Sequence, residues 1–145
     1  MSQRVKIYAA NGARILLGLI YFVFGLNFFL QFLGGRPQLT GPAETFMTGL
    51  FSAEYFFPLV KGIEVVGGLA LLMNRFVPLT LVVLMPITLN IFLFHLFLAG
   101  DPVLSIVMLA IQLYLAWVYR EYYSPLLEQR AVGQKNEVTL ASKVR

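Results

Sequence analysis

An all-α, membrane-spanning antiparallel four-helix bundle is the fold this sequence predicts, with a short interfacial helix between the first and second spans. Three observations predict it. The 145-residue chain is 59% hydrophobic and 12% charged, with a mean hydropathy of +0.77, whereas about a quarter of an average soluble domain is charged. Four apolar segments recur, each near the length that crosses a hydrocarbon core of about 30 Å at about 1.5 Å per residue. Finally, nine Lys and Arg residues fall in the loops and flanks of one side (Arg4, Lys6, Arg14, Arg75, Arg120, Arg130, Lys135, Lys143, Arg145) against Arg36 alone on the other. The side rich in Lys and Arg faces the cytoplasm. A multi-pass protein of a cell membrane is therefore expected, here the bacterial cytoplasmic membrane, with both termini cytoplasmic.

The whole chain reads as one transmembrane domain. The first span covers about 13–33. Its charge-free run, Ile15 to Leu33, exceeds the roughly 7 to 15 apolar residues of a secretory signal, so it reads as an uncleaved anchor. The connection that follows contains Gly34, Gly35, Pro37, Gly41 and Pro42, all turn formers. Inside it Phe46, Met47, Leu50 and Phe51 recur at helical spacing beside Glu44, Thr45 and Thr48, which predicts a short amphipathic helix anchored at the membrane surface, with a lid as the alternative.

The second span, about 56–74, has Pro58 in its first turn, where a missing N–H does no harm. It alone carries two charges inside. The third, about 76–98, opens at Pro78 and is expected to kink at Pro86, whose ring displaces a backbone hydrogen bond. Asp101 before Pro102 reads as a cap followed by a first-position proline. The fourth span runs about 103–120 and ends in an aromatic belt of Trp117, Tyr119, Tyr122 and Tyr123. The polar tail, about 124–145, is expected to be mobile.

Composition also excludes function classes. With no cysteine in the chain, disulfides, thiolate metal sites, iron–sulfur ligation and thiol catalysis are excluded within it. No basic run is interleaved with aromatics, so nucleic acid is not an expected partner. The lipid bilayer is.

Given this topology, the intramembrane polar residues acquire depths. Asn27, Gln31, Asn90 and His95 lie toward the outer ends of their spans, and Lys61 and Glu64 near the outer beginning of the second. All six fall within about 15 Å of the outer boundary. Gln112 alone sits near the middle, and the inner half is otherwise apolar. A charge at membrane depth costs about 2.5 to 3.5 kcal/mol on insertion scales, so such a layer demands compensation. Lys61 and Glu64 are three apart and share a face, with Phe57 and Gly68 on the same stripe, so they can pair. Lys61 can equally snorkel to the headgroups, and a buried carboxylate needs a cation close by to stay ionised.

Asn27, Gln31 and Asn90 are most simply interhelical hydrogen-bond partners. His95 is the only histidine, which argues against bis-histidine haem and His-rich metal sites; no metal site is expected. It remains open as a quinone hydrogen-bond donor, a proton relay or a wetted surface residue. Asn90 and His95 stand about 140° apart around a helix, so a broad cavity or the Pro86 kink is needed for both to reach one ligand. Lys61, Glu64, Asn90, His95, Asn27 and Gln31 form the candidate ligand-binding set; no catalytic residue is assigned. Gly18 and Gly25 read as packing positions.

The stretches ARILLGLIYFVFGLNFF, FPLVKGIEVVGGLALL, NRFVPLTLVVLMPITLNIFLFHLFL and LYLAWVYR resemble the DoxX family of small four-helix membrane proteins over roughly residues 13–123. The resemblance is carried by the Lys-x-x-Glu of Lys61 and Glu64, the Gly67–Gly68 pair, and the series Pro86, Asn90, His95. The first span departs from it: relatives often have Lys, His or Gln near the FGL segment, whereas Phe28 and Phe29 follow Asn27 here and Gln31 stands where some have His. That departure bears on any proton-transfer role for the first span. The family takes its name from a subunit of a thiosulfate:quinone oxidoreductase, and other members are associated with oxidative-stress complexes. The resemblance thus implies a redox-associated subunit with a quinone or small-amphiphile site in the outer half of the bundle. The alternatives are a non-catalytic lipid or small-molecule accessory, and a structural subunit that docks a partner protein. No cofactor is established by the residues themselves, and neither is catalysis.

Overall fold

The computed structural model describes residues 3–34 and 38–127. Among them every regular element is helical: α1 (Gln3–Leu30), α2 (Pro42–Ser52), α3 (Phe56–Leu72), α4 (Val77–Phe94), a π-helical turn (His95–Ala99), α5 (Val103–Val118) and a 3-10 stretch (Arg120–Leu127). Among the described residues two segments are long and apolar enough to cross a membrane, Arg4–Leu30 and Val77–Ala99. The α2–α3 pair, bent by 91°, would supply a third, and α5 is a shorter apolar helix.

Most boundaries fall near their expected places, and α1 is the exception. It starts at Gln3 rather than about residue 13, because Arg4 and Lys6 interrupt an apolar run without breaking a helix; both are good helix formers. Its end comes early as well. Gln31 adopts a left-handed backbone (φ 52°), and the Asn27 Oδ1 accepts the Leu33 N–H at 2.8 Å, so Asn27 closes the helix locally instead of bonding to another one. α4 runs on past Pro86, which donates no backbone hydrogen bond, and a π-helical turn follows it, where Gly100 N–H reaches the His95 carbonyl five residues back at 3.0 Å.

Asp101 is not the cap of α5. Pro102 occupies that position without a side-chain cap bond, and the Ser105 hydroxyl turns back to the Pro102 carbonyl at 2.8 Å. Residues 124–127, expected to begin the mobile tail, belong to the 3-10 stretch. The remaining tail with Arg130, Lys135, Lys143 and Arg145, and the loop position Arg36, lie outside the described residues.

The most extensive helix pair is α1 against α3, and glycines make it close. A carbon added at Gly68 would lie 2.5 Å from Phe22 N and 2.8 Å from Gly18 O. Gly25 packs on Glu64 and Val65, Gly18 on Gly68 and Leu71, and Gly67 on the Leu84 side chain. Rising numbers on α1 meet falling numbers on α3, so the two are antiparallel. Small residues allow such approach where apolar burial gives little drive toward association, because lipid is as apolar as the helix.

At the other end of this pair lies a residue the sequence placed among flanking charges. Arg14 is 6% exposed, and its Nη1 donates to the Leu71 carbonyl and, at 3.3 Å, to that of Leu72. A cation at a helix C-terminus satisfies carbonyls that have no intrahelical donor and complements the helix dipole.

α4 and α5 are likewise antiparallel, joined by a buried polar layer midway along. Tyr21 from α1 bonds Thr88 from α4; Thr88 and Tyr21 both meet the Gln112 Oε1 from α5; and Gln112 Nε2 donates to the Leu81 carbonyl at 2.9 Å. One consistent arrangement is a run of donors, Tyr21 to Thr88 to Gln112 to the Leu81 carbonyl, in which each hydroxyl gives its single proton once. Around this layer pack Leu17, Leu71, Leu81, Leu84, Met108 and Leu115.

The Gly68 contact predicts a contrast. Gly68→Ala should lower the unfolding temperature of the detergent-solubilised protein, with a loss of about 1 to 3 kcal/mol from overpacking. Gly62→Ala, whose added carbon meets nothing within 4 Å, should leave stability unchanged or raise it by up to about 1 kcal/mol through helix propensity.

Candidate functional site

Above the polar layer the helices do not fill the space between them. A cavity of about 570 Å³ opens there, walled by Ile20, Tyr21 and Phe24 of α1, Phe57, Val60, Lys61 and Glu64 of α3, Ile87, Asn90, Ile91 and Phe94 of α4 with His95 following, and Leu104 and Met108 of α5. Three residues of α2, Phe46, Met47 and Leu50, also line it. The Phe46 and Phe94 rings stand 5.7 Å apart, so α2 occupies the place of a lid over the cavity. The π-helical turn begins at His95, on the cavity wall; such turns recur at functional sites.

Lys61, Glu64, Asn90 and His95 all line this one cavity. Asn90 and His95 both reach the cavity because it is broad: they flank a stripe of α4 centred on Ile87, Ile91 and Phe94. Asn27 and Gln31 are not part of it. They line a second, more open space of about 1030 Å³ with Gln38, Glu44 and Thr48, on the opposite side of α2. Phe24, Met47, Phe57 and Lys61 line both spaces, and α2 is the partition between them. Glu44, Thr48 and Phe51 face the outer space and Phe46 and Leu50 the inner one, as 100° per residue requires.

The charged pair is tightly made. Lys61 Nζ lies 2.9 Å from Glu64 Oε1 and 2.8 Å from Oε2, one turn apart on α3. Both border the cavity; Glu64 is 2% exposed and Lys61 21%, so the ammonium is the more accessible member. The pairing that the three-residue spacing allowed is thus made. In a weakly polar interior an ion pair remains acceptable only when the geometry is good and the partners satisfy each other.

His95 presents the opposite situation. Its Nδ1 is buried and has no hydrogen-bond partner; the Phe94 ring stands edge-on at 5.4 Å. Asn90 likewise makes no side-chain hydrogen bond among the described residues. Two of the four inner polar groups are therefore satisfied by each other and two are unspent. Among the described residues no group of three or more His, Cys, Asp or Glu residues could hold a metal ion.

The DoxX family model matches residues 9–96, from the middle of the first turns of α1 to the start of the π-helical turn. The chain belongs to the DoxX family. The match contains all six candidate residues of this DoxX-family membrane protein but stops before α5, so LYLAWVYR lies outside it. No curated protein and no solved structure matches the chain.

Sequence reasoning missed Tyr21, Thr88 and Arg14. Gln112 was the available signal: a mid-membrane amide needs partners from other helices, and hydroxyls at the same depth on the first and third spans are the candidates. Arg14 gave none, since a cation beside a span normally reads as topology.

The polar floor predicts coupling. Thr88→Val and Gln112→Leu should each cost about 0.5 to 2 kcal/mol, the range of interhelical hydrogen bonds in membranes. The double variant should lose clearly less than the sum of the two, because both singles break the same bond; a cycle of unfolding free energies measures this.

Proposed function

We propose that this DoxX-family protein is a redox-associated membrane subunit whose inner cavity binds the head group of a quinone or a similar amphiphile. In this reading α1, α3, α4 and α5 cross the cytoplasmic membrane as an antiparallel four-helix bundle with both termini cytoplasmic, which sets the cavity and α2 at the extracytoplasmic end. α3 and α5 extend about 26 and 24 Å at 1.5 Å per residue, and local thinning of the bilayer accommodates such short spans at modest cost. Trp117, with Arg120 5.1 Å from its ring centre, suits the inner interface.

The observation that carries the ligand reading is the inner cavity itself, where Lys61, Glu64, Asn90 and His95 converge on a wall that is mostly aromatic and aliphatic. The buried, unpartnered Nδ1 of His95 carries a cost of about 1 to 3 kcal/mol, which a turn of the imidazole toward a ligand oxygen would relieve. Apolar walls with few convergent polar groups are the usual form of such a site. The residues fit a quinone head: flat aromatic walls, an imidazole nitrogen, the Asn90 amide and the Lys61 ammonium. Bound there, a quinone would supply the capacity to take up or release two electrons and two protons. The chain's own residues bind and orient: His95 and Asn90 hydrogen-bond ligand oxygens, Lys61 presents positive charge, and α2 excludes water. With no cysteine in the chain, thiol-derived electrons would come from a partner subunit.

Mass spectrometry of the detergent-purified protein should find a quinone bound, and His95→Ala should lower its occupancy about tenfold, the equivalent of one hydrogen bond of about 1.4 kcal/mol, with the unfolding temperature unchanged. An organic ligand without redox activity would place the protein among non-catalytic binding accessories. Ligand content indifferent to His95→Ala would reject the site. Reporter fusions at each terminus should register in the cytoplasm, and a signal from outside would overturn the topology.

A further inference from the structure

Lys61 stands where the two spaces meet, and its partner decides what it can recognise. Two of the three ammonium protons are directed to the Glu64 oxygens at 2.8 and 2.9 Å. Among the described residues Nζ has no other partner, so one N–H remains for a ligand. The cation is already compensated by a carboxylate that is almost completely buried behind it. An anionic ligand would have to share the ammonium with Glu64 at close range, and Glu44 on the outer space adds further negative charge. An uncharged oxygen acceptor meets no such competition and takes the remaining proton.

The geometry points to Lys61 as the ligand-anchoring residue on the wall that the two spaces share, selecting an amphiphile with a neutral carbonyl or ether oxygen over one with a carboxylate, and to Glu64 as the positioning residue that sets this preference. The ligand's apolar body lies in the inner cavity, and its acceptor oxygen sits against Lys61 beside Phe24, Met47 and Phe57, which line both spaces. This inference rests on the reading of the inner cavity as a ligand site. It narrows the ligand class within that reading without requiring redox chemistry.

The test uses two probes of similar length, tridecan-2-one and dodecanoate, titrated at pH 8 into the full-length protein in non-ionic detergent and read by native mass spectrometry. The wild-type protein should bind the ketone at least tenfold more tightly than the carboxylate. Lys61→Met should weaken ketone binding about tenfold, since its acceptor loses the donor. In Glu64→Gln, where the side chain keeps its size but the cation is uncompensated, the preference should invert in favour of dodecanoate. A merely structural role for Glu64 would weaken both probes together without inversion. Ketone preference retained in Glu64→Gln overturns the assignment, and so does unchanged ketone affinity in Lys61→Met, a measurement that stands if the glutamine variant does not fold. Equal wild-type affinity for the two probes overturns this inference alone. Uptake of neither probe overturns it together with the cavity reading.

Discussion

Phe22 and Gly18 of α1 place backbone atoms where any side chain at position 68 would have to stand. That approach governs the rest of the structure. In lipid, burial of apolar surface gives helices little reason to associate, so contact quality and interhelical hydrogen bonds must hold them. Gly18, Gly25, Gly67 and Gly68 supply the contact quality, and Arg14 pins the far end by bonding the last carbonyls of α3. The tight α1–α3 pair fixes the height of Glu64 beside Gly25, and hence the place of the ion pair.

A second consequence concerns where the molecule is filled and where it is open. Tyr21, Thr88 and Gln112 tie three helices at one level, and leucines pack around them. Above that level the large residues of α1, α3 and α4 line a space instead of closing it, with α2 laid across. The polar groups above the floor differ from those in it. The floor is internally satisfied and structural, while Asn90 and His95 line the cavity and make no side-chain hydrogen bond among the described residues. Lys61 and Glu64 belong to both kinds, since the pair satisfies itself and still leaves one N–H to offer.

Much of this was legible in the residues. Apolar run length located α3, α4 and α5 to within a few positions, because lipid demands a nearly uninterrupted stretch. The three-residue spacing of Lys61 and Glu64 announced their pairing, and Gly68 on the same stripe announced close approach, since side-chain direction on a helix follows from position alone. The start of α1 was not legible, because hydropathy reports lipid contact and Gln3 to Gly12 can be helical outside it. Nor was the division of the six candidates into two groups. Asn27 and Gln31 were expected at the depth of His95, yet depth says nothing about which side of α2 a residue occupies.

By itself, then, the sequence determined the all-helical class, the family and the pairing within α3, all of which follow from local spacing and from the energetic cost of polarity in lipid. Tertiary structure decided which of the polar residues share a cavity, that Arg14 caps a distant helix, that Tyr21 and Thr88 complete the partners of Gln112, and that Lys61 shields Glu64 while His95 stays unpartnered. Those outcomes depend on how helices remote in sequence rotate and approach one another. Such rotation is set by the simultaneous fit of many side chains, which no single helix encodes.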